Sequence, residues 1–98
     1  MAMTYTDLQE ALRVLRLEER ATLKEIKARH KELVKRYHPD TGSTAEPEMI
    51  QKVNAAYQIV LEYVAAYHFS FSREEFYEQN PEERLRQQFA DDPVWGKK

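Results

Sequence analysis

Three consecutive residues, His38, Pro39 and Asp40, combine side chains that are well suited to polar recognition. An imidazole can donate or accept a hydrogen bond, and a carboxylate can accept two from one arginine. Proline fixes its own φ and biases the preceding residue away from helical geometry, so a stiff bend holds the two polar side chains apart. Such a bend suits contact with another protein, because rigidity lowers the entropic cost of docking.

A cationic segment leads into this bend. Residues 22–37 have a net charge of +4, whereas the whole chain has a net charge of −2. The basic residues of the segment are Lys24, Lys27, Arg29, Lys31, Lys35 and Arg36, and its acidic residues are Glu25 and Glu32. Steps of three and four residues put the four lysines on one side of a helix, so we expect them to form a stripe that faces solvent.

The sequence gives little indication of metal binding or catalysis. It contains no cysteine, and His30, His38 and His68 lack the spacing of metal ligands. The adjacent acids, such as Glu74-Glu75, are typical of helix ends and solvated surfaces, and no nucleophile elbow or phosphate loop occurs. We therefore predict that the protein is not an enzyme and holds no metal or cofactor.

Only two glycines occur in 98 residues, which favours helices over a turn-rich β fold. A first helix is predicted to begin at Thr6, with Gln9 as its capping partner, and a second at Thr22, with Glu25. The second helix should end near Tyr37, and a third should begin around Glu46 with Pro47 in its first turn. Each helix has one apolar stripe with helical spacing. The stripes comprise Leu8, Leu12 and Leu15, then Ile26, His30, Leu33 and Tyr37, then Ile50, Val53, Tyr57, Val60 and Val64.

The segment from His38 to Ala45, rich in turn-forming residues, is predicted to be an exposed loop between the second and third helices. Two helices joined by a short loop bury their stripes most simply as an antiparallel hairpin, with the first helix laid across it. His30 lies on the buried stripe, so we expect its ring to pack near the third helix. The predicted fold class is all-α.

The chain changes character after Tyr67, where most of its aromatic residues occur. Helix caps are predicted at Ser72, with Glu75, and at Asn80, before Pro81. Our structural prediction is that the rings fold back and enlarge a small core, and the alternative is that they form a docking patch for a client or targeting partner. The aromatic residues concerned are Phe69, Phe71, Phe76, Phe89 and Trp95.

From about Leu12 to Leu61 the chain resembles a J-domain, the module of DnaJ-type co-chaperones. The bend His38-Pro39-Asp40 after a basic helix carries the resemblance. The other matching positions are Leu15, Leu17, Ala21-Thr22, Ile26, Lys27, Leu33, Lys35-Arg36-Tyr37, Val53, Ala56-Tyr57 and Val60. We expect residues 1–68 to form the J-domain and residues 69–98 an aromatic and acidic extension that packs on or beside it.

The resemblance implies that the protein binds the ATPase domain of a DnaK-type chaperone, of the heat shock protein 70 family, and promotes ATP hydrolysis. It implies that Asp40 pairs with an arginine of the chaperone and that His38 makes a polar contact beside Pro39. A basic surface formed by Lys27, Lys31, Lys35 and Arg36 would dock on an acidic one. The J-domain itself performs no chemistry.

Several positions depart from the family pattern. His30-Lys31-Glu32 stands where many J-domains have Tyr-Lys-Arg, and Arg16 replaces the usual glycine between two leucines. Thr41-Gly42 follows the bend where a basic residue and asparagine are common. Glu32, a reversed docking charge, motivates a second hypothesis, a J-like scaffold that recruits a partner without activating it.

A third hypothesis, nucleic-acid binding through the cationic helix, is disfavoured by the long loop and by the many acidic residues around that helix. No segment is long and apolar enough to cross a membrane, and the chain does not begin with a basic segment leading into an apolar one. We expect a soluble, cytoplasmic protein.

Overall fold

The computed structural model describes residues 3–38 and 47–91, which form α-helices and no strand. The described helices are α1 (Tyr5–Leu15), α2 (Leu23–Tyr37), α3 (Pro47–Ala65), α4 (Arg73–Gln79) and α5 (Pro81–Asp91). The all-α prediction is confirmed. None of these helices is long and apolar enough to cross a membrane.

The predicted start of α1 was wrong by two residues. Thr4, not Thr6, caps the helix: its hydroxyl accepts a hydrogen bond from the Asp7 backbone N–H at 3.0 Å, and the Asp7 carboxylate accepts one from the Thr4 backbone N–H at 3.1 Å. An aspartate in the first turn also places a negative charge at the positive end of the helix dipole, which Gln9 could not do.

The end of α1 is a tight reversal at Arg16, whose φ of 56° and ψ of 41° are left-handed. The Arg16 backbone N–H donates to the Arg13 carbonyl at 3.1 Å, and the Leu17 N–H donates to the Leu12 carbonyl at 2.9 Å. This pair of bonds forms a Schellman motif, which satisfies carbonyls that the helix leaves unpaired.

The predicted limits of α2 are confirmed. Thr22 and Glu25 form the reciprocal capping box: the threonine hydroxyl accepts from the Glu25 N–H at 3.1 Å, and the Glu25 carboxylate accepts from the Thr22 N–H at 2.7 Å. The helix ends at Tyr37, and His38 has an extended backbone, as expected before proline. Pro47 occupies the first position of α3, where its missing N–H removes no helical bond.

The core draws on all three predicted apolar stripes. Both α1 and α2 pack against α3, and they also contact each other. The prediction that α1 and the α2–α3 pair share one core is therefore confirmed. The buried residues are Ala11, Leu15, Ile26, Leu33, Val53, Ala56 and Val60.

The chain divides into an N-terminal unit, Met1–Tyr67, and a C-terminal unit, His68–Lys98. In the second unit, Ser72 caps α4 as predicted, accepting a hydrogen bond from the Glu75 N–H at 3.1 Å. The Asn80 side chain donates to the Phe76 carbonyl at 2.9 Å where α4 gives way to α5, and the two helices pack together. The stop predicted at Asp92-Pro93 and the ring of Trp95 lie outside the described residues.

The four phenylalanine side chains of the C-terminal unit, Phe69, Phe71, Phe76 and Phe89, are each at least half exposed. Phe71 has 93% of its surface exposed, and Phe76 has 50%. No side chain is buried among residues 68–90. The packing of this unit on the N-terminal one remains a prediction.

Candidate functional site

His38 is the one member of the predicted recognition bend that the structure describes. It ends α2 with φ −71° and ψ 136°, and its side chain is partly exposed. Because a residue with this ψ cannot continue a helix, the chain leaves α2 directly after Tyr37. Pro39, Asp40, Thr41 and Gly42 lie outside the described residues, as does the rest of the predicted loop.

Four exposed lysines line one side of α2, as the sequence predicts. We call Lys24, Lys27, Lys31 and Lys35 the lysine face. Ile26 and Leu33, which are 5% and 3% exposed, point into the core from another side of the same helix. Within residues 3–38 and 47–91, neither Lys24, Lys27 nor Lys31 forms an ion pair, so their charges are available to a partner.

Arg36 is also exposed, in the last turn of α2. A cation at this position interacts favourably with the negative end of the helix dipole, which contributes to stability whatever else the side chain does. Arg36 follows Lys35 directly and therefore points to a different side of the helix. The structure thus separates the predicted docking cations into two directions.

Arg29 has a role that the sequence reasoning missed. One guanidinium nitrogen, Nη1, donates to the Arg16 carbonyl at 2.6 Å and lies 3.5 Å from the Leu15 carbonyl. Its charge is therefore placed at the negative end of α1, where the carbonyls have no helical partner. The contact joins residues 13 positions apart, so no local sequence pattern predicts it. The residue that it supports, Arg16, has a left-handed backbone but is not a glycine, so the sequence does not signal that conformation either.

Glu32 pairs with this same arginine. Its Oε1 lies 3.3 Å from Arg29 Nε, with 60% of the Glu32 side chain and 37% of the Arg29 side chain exposed. The carboxylate is thus the counter-ion of a guanidinium whose other nitrogen binds the end of α1. Glu32, the acidic residue that stands where many J-domains have arginine, therefore has an ion-pair partner within the protein.

His30 joins α2 to α3, as predicted. Its ring stacks on Tyr57 with centroids 3.8 Å apart and planes 4° from parallel. His30 Nε2 lies 2.8 Å from Asn54 Oδ1, and because an amide oxygen can only accept, the imidazole nitrogen donates. The ring therefore bridges the two helices two turns before the bend and supports the direction in which α2 reaches His38.

The family model of the DnaJ domain matches residues 10–64, which is more than half of the chain. The match begins within α1, spans the whole of α2 and the predicted bend, and ends one residue before the end of α3. No curated protein and no solved structure matches the chain.

Proposed function

Because this chain belongs to the DnaJ domain family, we propose that it is a co-chaperone that binds a DnaK-type chaperone and stimulates its ATP hydrolysis. The observation that carries the proposal is the family match itself, which includes the sequence His38-Pro39-Asp40 between α2 and α3. The fold adds support, because the buried stripes of α1, α2 and α3 fix the end of the cationic helix next to that sequence.

In this proposal the bend carries the specific contacts. Asp40 accepts two hydrogen bonds from an arginine of the chaperone, and His38 makes a polar contact on the other side of Pro39. Removing one member of a desolvated charged pair at an interface typically costs about 2–5 kcal/mol. We therefore expect Asp40 to dominate the affinity.

The exposed cations of α2 have a different role, which is to speed the association of the protein with the chaperone. Lys27, Lys31, Lys35 and Arg36 attract an acidic surface of the chaperone over a distance set by the ionic strength. Exposed ion pairs contribute only about 0–1 kcal/mol each, so these residues should alter the association rate more than the stability of the complex.

The protein performs no chemistry of its own and needs no cofactor in this proposal, since ATP is bound and hydrolysed by its partner. A cytoplasmic location, and a client or targeting partner for the aromatic residues of the C-terminal unit, stay predictions. In the alternative hypothesis, a J-like scaffold, the protein binds the chaperone but does not stimulate its ATP hydrolysis.

The proposal is tested by adding the protein to a purified DnaK-type chaperone and measuring steady-state ATP turnover. We expect turnover to rise with protein concentration to a plateau. Asp40→Asn should abolish the rise because an amide cannot replace the carboxylate in a bidentate charged pair. Binding without any rise for the parent protein would favour the scaffold, and absence of both would refute the proposal.

A further inference from the structure

Two side chains of α3 hold the His30 ring of α2 from two directions, and we call the three residues the histidine bridge. His30 Nε2 donates to Asn54 Oδ1 at 2.8 Å, and Tyr57 stacks on the face of the same ring with centroids 3.8 Å apart. Asn54 and Tyr57 are three residues apart and therefore lie on one side of α3. The hydrogen bond restrains the ring along its plane, and the stack restrains its tilt.

The α3 end of the histidine bridge is anchored in the core. Tyr57 is partly buried and packs against the buried cluster of the N-terminal unit, to which Val53 and Ala56 of the same helix belong. A close-packed side chain of this kind resists being carried along when a neighbouring helix rotates. The histidine bridge therefore ties the orientation of α2 to that of α3.

The apolar contacts of α2 define its rotation less sharply than the histidine bridge does. Ile26 and Leu33, which are 5% and 3% exposed, hold α2 on the core. Apolar attraction depends on the area removed from water and has no preferred direction, whereas a hydrogen bond weakens steeply as its angle departs from linearity. His30 lies between these two residues in the sequence and adds an angular restraint that they lack.

A small rotation of α2 becomes a large displacement at the residue that follows the helix. His38 comes about two turns after His30, or about 12 Å further along the axis. Side chains reach about 6 Å from a helix axis, so a rotation of about 20° moves a side chain there by about 2 Å. The groups of a recognition site must be held within about 0.5 Å, so the rotation that the histidine bridge fixes decides whether His38 is well placed.

We infer that Asn54 and Tyr57 are positioning residues, which act through His30 to set the angle at which α2 presents His38 to the DnaK-type chaperone. This inference rests on the proposed function and deepens it. Loss of the histidine bridge leaves the fold intact and spreads α2 over several rotations, of which only a fraction is competent to bind. The apparent affinity falls in proportion to that fraction, while the bound complex is unchanged.

The test measures steady-state ATP turnover by a purified DnaK-type chaperone against the concentration of each variant of the full chain. Asn54→Ala removes the acceptor, and we expect the half-saturating concentration to rise about fourfold with an unchanged plateau. Asn54→Asp keeps an acceptor oxygen at the same place and should restore the parent value. Gln58→Glu adds the same charge at an exposed position one turn further along α3 and controls for that charge.

The stack is tested in the same assay. Tyr57→Leu keeps an apolar side chain against the core and removes the ring, so it should also raise the half-saturating concentration. Tyr57→Phe keeps the ring and should leave that concentration unchanged.

Ile26→Val separates positioning from stability. It shortens a buried side chain of the same helix and should lower the thermal midpoint by a few degrees, about as much as Asn54→Ala does. Because the histidine bridge stays intact, the half-saturating concentration should change less than about 1.5-fold. Residual dipolar couplings of the backbone N–H groups give a readout without chaperone: those of α2 should shrink relative to those of α3 in Asn54→Ala and not in Ile26→Val.

An unchanged half-saturating concentration in Asn54→Ala, or an equal rise in Ile26→Val or Asn54→Asp, would overturn the inference and leave the proposed function standing. Dipolar couplings of α2 that are the same in Asn54→Ala and the parent would do so as well. A parent protein that raises ATP turnover at no concentration would instead refute the proposed function, and with it the role of the histidine bridge in docking.

Discussion

At the scale of single residues, Arg16 stands out because it adopts a conformation that suits glycine. Its left-handed backbone closes α1 through the Schellman motif, and the Arg29 side chain then binds the Arg16 carbonyl. A residue with a Cβ in this region has a conformational cost of about 1 kcal/mol. Hydrogen bonds on both sides of the residue hold it there despite that cost.

Arg16→Gly should therefore stabilise the protein, by about 0.5–1 kcal/mol, because it removes the Cβ clash and keeps the backbone that Arg29 contacts. Urea denaturation followed by circular dichroism measures the free energy of unfolding. Arg16→Ala is the control, since it shortens the side chain and retains the Cβ. A glycine variant no more stable than the alanine variant would show that the left-handed backbone carries no such cost.

A second residue-scale prediction concerns Glu10, whose carboxylate is hydrogen-bonded and ion-paired to Arg13 one turn later. The hydrogen bond from this guanidinium, followed by its charge, holds the pKa of Glu10 below its ordinary value. The pair consequently adds stability above the unfolded-state pKa, and that contribution disappears as the pH falls through the folded-state pKa. In an NMR titration, Arg13→Gln should move the Glu10 midpoint upward, and an unmoved midpoint would contradict this cause.

At the scale of helices, the stacked pair His30–Tyr57 and the hydrogen bond to Asn54 join α2 to α3. The position is one where many J-domains have tyrosine, so a ring is retained there although its chemistry differs. The imidazole directs its Nε2–H toward α3, where the Asn54 side-chain oxygen accepts it. The contact helps to fix the rotation of α2, and hence the direction of the lysine face.

Asn54→Ala should reduce the free energy of unfolding by about 1 kcal/mol, the usual value of one hydrogen bond, because His30 Nε2 loses its acceptor. Gln58→Ala, at an exposed position one turn further along α3, is the matched control and should change little. Thermal or urea unfolding of both variants checks this. Equal losses in the two variants would mean that the bridge adds nothing to helix packing.

The helices also show which features are readable from sequence. The caps at Thr22 and Ser72 were predictable because cap and partner lie three residues apart. The cap at Thr4 was missed because Thr6, two residues later, offered a similar spacing with a weaker partner. Arg29 was beyond prediction, since its acceptors are 13 and 14 residues away and depend on how α1 meets α2. The lysine face was predictable from periodicity, because its four members follow helical steps of three and four residues.

At the scale of the whole molecule, the part of the chain that the structure describes has a core of seven buried residues, which belong to α1, α2 and α3 of the N-terminal unit. A hydrophobic core of this size is modest, and a domain of about 60 residues buries a smaller fraction of its surface than a larger one. The sequence predicts that aromatic rings after Tyr67 enlarge that core. Comparing the free energy of unfolding of the full chain with that of a shortened chain separates the contribution of the N-terminal core from the contribution of these rings.

A chain that ends at Tyr67 should still unfold cooperatively, because it retains every residue of the core cluster. Circular dichroism during urea denaturation of the shortened and full chains gives the free energy of unfolding for each. A loss of several kcal/mol on shortening would support the predicted enlargement by Phe69, Phe71, Phe76 and Phe89. A gradual, non-cooperative transition would contradict the view that the N-terminal unit has a sufficient core.

At the scale of the whole molecule with its partner, we propose that the sequence His38-Pro39-Asp40 after α2 activates a DnaK-type chaperone. The most direct measurement is single-turnover ATP hydrolysis by that chaperone, with saturating amounts of the parent, His38→Gln or His68→Gln. His68 lies in the connector after α3 and serves as the matched histidine control. We predict acceleration by the parent and by His68→Gln, and none by His38→Gln although its helicity is unchanged. Equal acceleration by all three proteins would contradict the account.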